Sequence, residues 1–80
     1  MSESPSYLIL WAVDAVLVVH TRFEIPNSVW IDQTRLGMIS VAHGPDFLGY
    51  DYHYRLEYSD KSYAALGELS LRRLFENPSE

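Results

Sequence analysis

Alternation of polar and apolar residues is clearest between positions 49 and 59. The apolar positions there are Tyr50, Tyr52, Tyr54, Leu56 and Tyr58, and the polar ones between them are Asp51, His53, Arg55 and Glu57. Because successive side chains of a strand point to opposite faces, this spacing predicts a half-buried strand. Its four tyrosines and its leucine are expected to face inward together.

The period of the pattern changes directly after this strand. Asp60 can cap a helix over about 61–76, because a carboxylate in that position accepts from the free amides of the first turn. At about 100° per residue, one apolar arc of this helix is predicted to lie across the sheet. That arc contains Tyr63, Ala64, Gly67, Leu71, Leu74 and Phe75, and the opposite side carries Ala65, Glu68, Arg72 and Glu76.

The N-terminal half predicts a second alternating strand over 19–25. Val19, Thr21, Phe23 and Ile25 are its inward residues, and His20, Arg22 and Glu24 are its outward ones. The preceding segment, 7–18, is rich in Val, Leu and Ile and predicts a buried strand that turns near Val13-Asp14-Ala15. A buried helix opened by Ser4 and Pro5 is the alternative for this segment.

Two apolar clusters lie between positions 29 and 42. A strand over 36–42 that ends at His43-Gly44-Pro45-Asp46 agrees with the turn chemistry of those residues, and a helix over about 28–43 is the alternative. Three or four antiparallel strands followed by a C-terminal helix make a small two-layer α+β sandwich. We expect a single domain over 7–76, with flexible tails at 1–6 and 77–80.

Composition narrows the class of protein. The chain has 80 residues, 48% of them hydrophobic, and contains no cysteine. A chain of this length holds one domain, and its hydrophobic content is too high for a disordered polypeptide. Without cysteine, the chain cannot supply a thiolate nucleophile, an iron–sulfur cluster or a sulfur-ligated zinc site.

Charge bears on location and partners. Eleven acidic residues against six basic ones give a net charge of −5, and the basic residues are scattered apart from Arg72 and Arg73. Phosphate backbones repel such a surface, so direct nucleic-acid binding is disfavoured. The longest apolar run, 7–19, is interrupted by Asp14 and is shorter than the roughly 20 residues of a membrane span. We therefore expect a cytoplasmic protein with no membrane partner.

Two histidines are the strongest candidates for chemistry. His20 and His53 fall on the polar sides of the two alternating strands, so pairing of these strands would bring their rings together near Asp51, Glu24 or Glu57. Such a group suits a divalent metal or a proton transfer, although isolated surface histidines are the ordinary explanation. The chain has no nucleophile elbow and no phosphate loop. We predict no catalytic residue and no cofactor.

Aromatic residues point towards an interface with another protein. Two tryptophans and six tyrosines exceed what one thin core has to hide, and these residue types are enriched at interfaces. We place Trp11, Tyr52 and Tyr54 in the core. The predicted partner-binding residues are Leu66, Leu69, Arg73 and Glu76 on the last helix, with Asp51 and Glu57 on the tyrosine strand.

Small size, acidity and the missing catalytic motifs predict a non-catalytic inhibitor that occupies a surface of a larger protein or nucleoprotein complex. Immunity proteins and phage-encoded anti-defence proteins such as anti-CRISPR proteins share this profile of size and charge. One alternative is a homo-oligomeric structural or accessory subunit, for example a homodimer that pairs through a sheet edge or through Leu69. The other is a small metal- or ligand-binding enzyme that uses His20 and His53.

Overall fold

The computed structural model describes residues 8–31, 35–45 and 49–76 of the chain. Its elements are β1 (Leu8–Val13), β2 (Val16–Thr21), α1 (Asn27–Ile31), β3 (Leu36–His43), β4 (Tyr52–Tyr58) and α2 (Lys61–Glu76). The strands form one antiparallel sheet in the order β1-β2-β4-β3. The α+β sandwich predicted from the sequence is confirmed, whereas the predicted tails, 1–6 and 77–80, lie outside the described residues.

A two-residue turn joins β1 to β2 at the place where the sequence predicted a bend. Val13 pairs with Val16, and Asp14 between them adopts the left-handed backbone conformation with φ of 57°. Aspartate tolerates this conformation better than most residues, because its short polar side chain can bond to the local backbone. The alternative helix opened by Ser4 and Pro5 is therefore wrong, since residues 8–13 are a strand.

Alternating residues of the two central strands form the core. Leu17, Val19 and Thr21 of β2 and Tyr54, Leu56 and Tyr58 of β4 are all buried on the side that α2 covers. Ile25 is also buried, and its amide donates to the Tyr54 hydroxyl oxygen at 2.7 Å. The inward pattern predicted for 19–25 is confirmed, although β2 ends at Thr21.

The segment between β2 and β3 contains the short helix α1. Its buried residue is Trp30, whose ring lies 5.2 Å from that of Tyr54. The long helix considered for about 28–43 is wrong, because β3 occupies Leu36–His43. The predicted strand over 36–42 is confirmed to within one residue, and Asp46 of its predicted end lies outside the described chain.

Helix α2 begins as the sequence predicted. The Asp60 carboxylate accepts from the Ser62 amide at 2.8 Å and from the Ser62 hydroxyl at 2.9 Å. These two hydrogen bonds stabilise the ionised form and lower the pKa of Asp60. Ala64, Gly67 and Leu71 of α2 are buried, so Gly67 is a packing position.

The face of α2 that meets the sheet is rotated from the predicted arc. Leu74 was expected to face inward and is 51% exposed, whereas Glu68 and Arg72 were expected opposite the sheet and are partly buried. The helix packs mainly on β1, at one side of the sheet. Side chains on that flank of α2 are therefore covered, and those on the other flank are left in solvent.

Two aromatic residues lie elsewhere than predicted. Trp11, expected in the core, is 37% exposed, and Trp30 is the tryptophan that packs inside. Tyr50 is buried but lies outside the core cluster, because its ring faces His20 at 6.5 Å and supports the Arg22 guanidinium at 4.9 Å. The alternation with Tyr52 breaks there, since β4 begins only at Tyr52.

Candidate functional site

The sheet has one face that the helices cover and one that they leave open. Helix α2 packs on the inner side, and α1 reaches that same side through the contact of Trp30 with Tyr54. We call the opposite side the outer face. By strand register its residues are Ile9, Trp11 and Val13 of β1, Val16, Val18 and His20 of β2, His53, Arg55 and Glu57 of β4, and Met38, Ser40 and Ala42 of β3.

The outer face is apolar at both sides and charged along β4. Trp11 and Val13 are exposed on β1, and Met38 is exposed on β3. Between them, Arg55 forms an ion pair with Glu57 two residues along the same strand. A shallow open depression of about 230 Å³ lies between β2, β4 and β3, and Val18, Ser40 and Ala42 contribute to its walls. The outer face therefore combines an open depression with exposed apolar side chains at both of its sides.

Strand β3 is the most exposed strand of the sheet. Six of its eight residues are exposed, and only Leu36 and Ile39 are partly buried. None of the eight carries a formal charge, and five of them are Leu, Met, Ile, Val or Ala. Natural edge strands are usually protected by lysine, proline or a covering segment. Strand β3 lacks the first two of these protections.

The backbone of β3 offers unpaired hydrogen-bonding groups along its free edge. The Gly44 amide donates to the Asp51 carbonyl at 2.8 Å, which continues the ladder between β3 and β4. Because the bonding direction alternates along an antiparallel strand, the amides and carbonyls of Ile39 and Val41 point away from β4. Within the described part of the chain, no partner satisfies these groups.

The other edge of the sheet, β1, is covered by two side chains of α2. The Glu68 carboxylate accepts from the Ala12 amide at 3.1 Å, and Arg72 donates to the Leu10 carbonyl at 2.6 Å. Glu68 and Arg72 also form an ion pair at 3.0 Å, one helical turn apart. Together they occupy the Ala12 amide and the Leu10 carbonyl, two of the outward groups that a further strand would need on β1.

His20 and His53 lie side by side on the outer face, in agreement with the hypothesis that their strands pair. They are direct cross-strand partners in β2 and β4, and their Nδ1 atoms are 2.9 Å apart. Because the Thr21 carbonyl accepts from the Asp51 amide, the backbone of the preceding His20 faces β1 instead of β4. Such pairs without ladder hydrogen bonds bring side chains closest together.

The Gly44 carbonyl oxygen determines which ring nitrogens carry the protons when both histidines are neutral. Nε2 of His53 lies 2.5 Å from the Gly44 carbonyl oxygen, which only accepts, so this nitrogen donates. Nδ1 of neutral His53 is then an acceptor, and His20 donates to it from its own Nδ1. The Trp11 ring stacks on His20 at 5.3 Å and fixes its orientation.

The six predicted partner-binding residues do not form one surface. Leu66, Leu69 and Arg73 are all exposed on the solvent side of α2, as expected. Glu57 lies on the outer sheet face and is ion-paired with Arg55, while the exposed Asp51 precedes the other end of β4. The side chain of Glu76 lies outside the described part of the structure.

The sequence analysis did not identify β3 as an unprotected edge strand, nor Glu68 and Arg72 as the side chains that bond to the β1 edge. The absence of charge from Leu36–His43 was visible and is the signal that identifies an unprotected edge. No comparable signal marked Glu68 and Arg72, because a Glu and an Arg four residues apart on a helix resemble any exposed ion pair. Their contact with β1 depends on where the helix crosses the sheet.

Other functional classes were compared with the described residues. Those residues contain no group of three or more His, Cys, Asp or Glu side chains arranged to hold a metal ion. None of their helices has both the length and the apolar content needed to cross a membrane. No protein-family model, curated protein or solved structure matches the chain. Function therefore has to be argued from the geometry of the surface.

Proposed function

We propose that this chain is a non-catalytic binding protein that occupies a surface of a larger protein and holds its partner along the free edge of β3. One observation carries the proposal: β3 is an apolar, uncharged and exposed edge strand, while the middle of the β1 edge is bonded to Glu68 and Arg72. A protein that needed only to be stable would protect both edges.

The mode of binding that fits β3 is addition of an extended partner segment to the sheet. Backbone groups of Ile39 and Val41 would supply the hydrogen bonds, and alternate side chains of the partner would contact the two faces. Val41 is 59% exposed on the inner side and Met38 is 55% exposed on the outer side, so both faces offer apolar contacts.

Charge favours a different protein over a second copy as the occupant. The chain has a net charge of −5, so two copies repel each other, whereas a basic partner is attracted. An added segment that blocks a functional surface of that partner would inhibit it. We expect complex formation to weaken as the salt concentration rises, because screening reduces this attraction.

The test uses two lysine substitutions that match in residue type and exposure. Val41→Lys places a charge beside the free edge of β3, and Val13→Lys places one on the covered edge strand β1, where Val13 is 56% exposed. A partner is captured from the organism that encodes the chain, identified by mass spectrometry and titrated in purified form. We expect Val41→Lys to raise the dissociation constant of the complex by about ten-fold or more. Val13→Lys should leave this constant nearly unchanged.

Proline at position 41 gives an independent version of this test. The Val41 amide points away from β4, so Val41→Pro removes a donor from the free edge without removing a ladder hydrogen bond. Binding should fall while circular dichroism shows a folded chain. A partner that binds both position-41 variants as tightly as wild type contradicts the proposal, and so does turnover of a substrate by the purified chain.

A second candidate function, self-assembly, is favoured by the lack of charge on β3. Two copies pairing antiparallel about Ser40 would place Ile39 opposite Val41 and Met38 opposite Ala42, with no like charges meeting across the strands. Sedimentation at several concentrations separates the two functions. A tight dimer that Val41→Lys dissociates, with no other protein captured, supports self-assembly over the main proposal.

A further inference from the structure

The geometry points to His20 and His53 as a two-histidine binding site for a divalent transition metal that prefers square or octahedral coordination, such as Cu²⁺ or Ni²⁺. Both Nδ1 atoms are metal ligands by chemistry, and their strands hold them in direct register. This site does not depend on the protein-binding proposal, since it uses different side chains.

The distance between the two nitrogens selects the type of coordination. Two bonds of about 2.0–2.1 Å that meet at 90° end on nitrogens about 2.9 Å apart, whereas the tetrahedral angle separates them by about 3.3–3.4 Å. The observed separation is 2.9 Å. Neighbouring positions of a square or octahedral ion therefore match this separation, and binding requires the two rings to rotate so that both Nδ1 lone pairs point at the ion instead of along the line between the nitrogens.

A hydrogen bond already holds His53 in the form that binds metal. Its Nε2 donates to the Gly44 carbonyl oxygen, which leaves Nδ1 with its lone pair free of a proton. Histidine ligands commonly donate their second ring nitrogen to a backbone carbonyl in this way, which fixes the tautomer and raises the basicity of the ligating nitrogen. The support that a metal ligand needs is thus already present at His53.

Binding requires a proton to move on His20 and nowhere else in the neutral pair. The proton on His20 Nδ1, which lies between the two rings, is replaced by the metal. Solvent returns a proton to His20 Nε2, so the ring stays neutral and no net proton is released.

The surroundings of the pair are compatible with a bound cation. Arg55, the basic residue of β4, is already ion-paired with Glu57, and Arg22 lies over the Tyr50 ring that faces His20. The chain as a whole has a net charge of −5. Since the described residues add no third His, Cys, Asp or Glu ligand, water completes the coordination. A site with two protein ligands exchanges its metal readily, so the expected affinity is moderate.

Trp11 supplies a direct optical probe of this site. Its ring is stacked on His20 at 5.3 Å, whereas Trp30 is buried on the other side of the sheet beside Tyr54. Cu²⁺ or Ni²⁺ at the pair should quench Trp11 fluorescence in a saturable way with one metal per chain. The same titration followed by thermal unfolding should raise the melting temperature, because the ion binds the folded state preferentially.

Matched histidine variants decide the inference. We expect His20→Asn and His53→Gln each to weaken Cu²⁺ and Ni²⁺ binding by about ten-fold or more. His43→Gln is the control, since His43 stacks on Tyr52 at the edge of the sheet and takes no part in the pair. We expect this control to bind within about two-fold of wild type.

Two further measurements show whether a loss of binding comes from misfolding of a variant and whether the metal binds at another place on the chain. Trp11→Phe should abolish the quenching and keep the rise in melting temperature, which shows that the ion lies beside Trp11 and not beside Trp30. Circular dichroism confirms that each variant is folded. Equal binding by wild type and by the double variant His20→Asn/His53→Gln overturns the inference, as does a loss of binding caused by His43→Gln alone.

Discussion

The two edge strands of the sheet differ in whether their outward backbone groups have hydrogen-bond partners. At β1, Glu68 and Arg72 of α2 bond to the outward groups of Ala12 and Leu10. At β3, the outward groups of the strand face solvent in the described structure, and most of its side chains do as well. Edge protection therefore follows the position of the helix, and the unprotected edge lies where the helix does not reach.

The largest expected difference between the edges is in the contribution of their side chains to stability. Leu10 of β1 is 2% exposed, so Leu10→Ala should lower the free energy of unfolding by about 2–5 kcal/mol. Val41 of β3 is mostly exposed, and Val41→Ala should change the free energy of unfolding by no more than about 0.5 kcal/mol. Urea denaturation of both variants measures this. Equal losses would show that β3 is packed as tightly as β1.

A smaller effect is expected when the cover of β1 is removed. Arg72→Met keeps the length of the side chain but removes the donor to the Leu10 carbonyl and the ion pair with Glu68. We expect a loss of about 1–2 kcal/mol, since the pair is partly exposed to solvent. Arg73→Met is the matched control and should stay within about 0.5 kcal/mol of wild type.

Amide hydrogen exchange reports the same difference residue by residue. The Ala12 amide should exchange slowly for an edge strand because Glu68 accepts from it, and Arg72→Met should speed its exchange by loosening Glu68. The outward amide of Val41 should exchange rapidly in both proteins. Slow exchange at Val41 in the isolated chain would mean that something already covers the β3 edge.

A last effect, confined to high pH, is expected at Tyr58, which pairs with Leu36 at the start of β3. Burial raises the pKa of Tyr58 from 10.0 to about 12. The stabilising contribution of this neutral phenol is complete below pH 10 and is lost as the pH rises through about 12. Tyr58→Phe should therefore lose less stability than wild type between these pH values, as measured by urea denaturation. An identical loss in both proteins would contradict this assignment.

Local pattern predicted much of this fold, because the decisive signals were local. The alternation around Tyr54 and Leu56 and the cap at Asp60 each depend on a few neighbouring residues, and both are confirmed. The alternation of the two strands placed His20 and His53 on polar faces, whereas their pairing was only a hypothesis, which the register of β2 and β4 confirms. The strand after 36 was predicted from its turn residues for the same reason.

What the sequence did not predict depends on how elements are placed in space. Counting at 100° per residue gives the order of side chains around α2, but it does not give the angle at which the helix meets the sheet. That angle partly buries Arg72 and exposes Leu74. Trp11 was misplaced for a related reason, since an aromatic residue in an apolar strand can face either side, and only the strand order shows which side has a helix.

Strand order also has a consequence for how the chain folds. The pairs β1–β2 and β3–β4 join strands that follow each other, so each half of the sheet is a hairpin that closes a local loop. The central ladder instead joins residues far apart in the chain, such as Val19 and Tyr54. Long-range closure is slower than hairpin formation, so we expect docking of two preformed halves to set the folding rate.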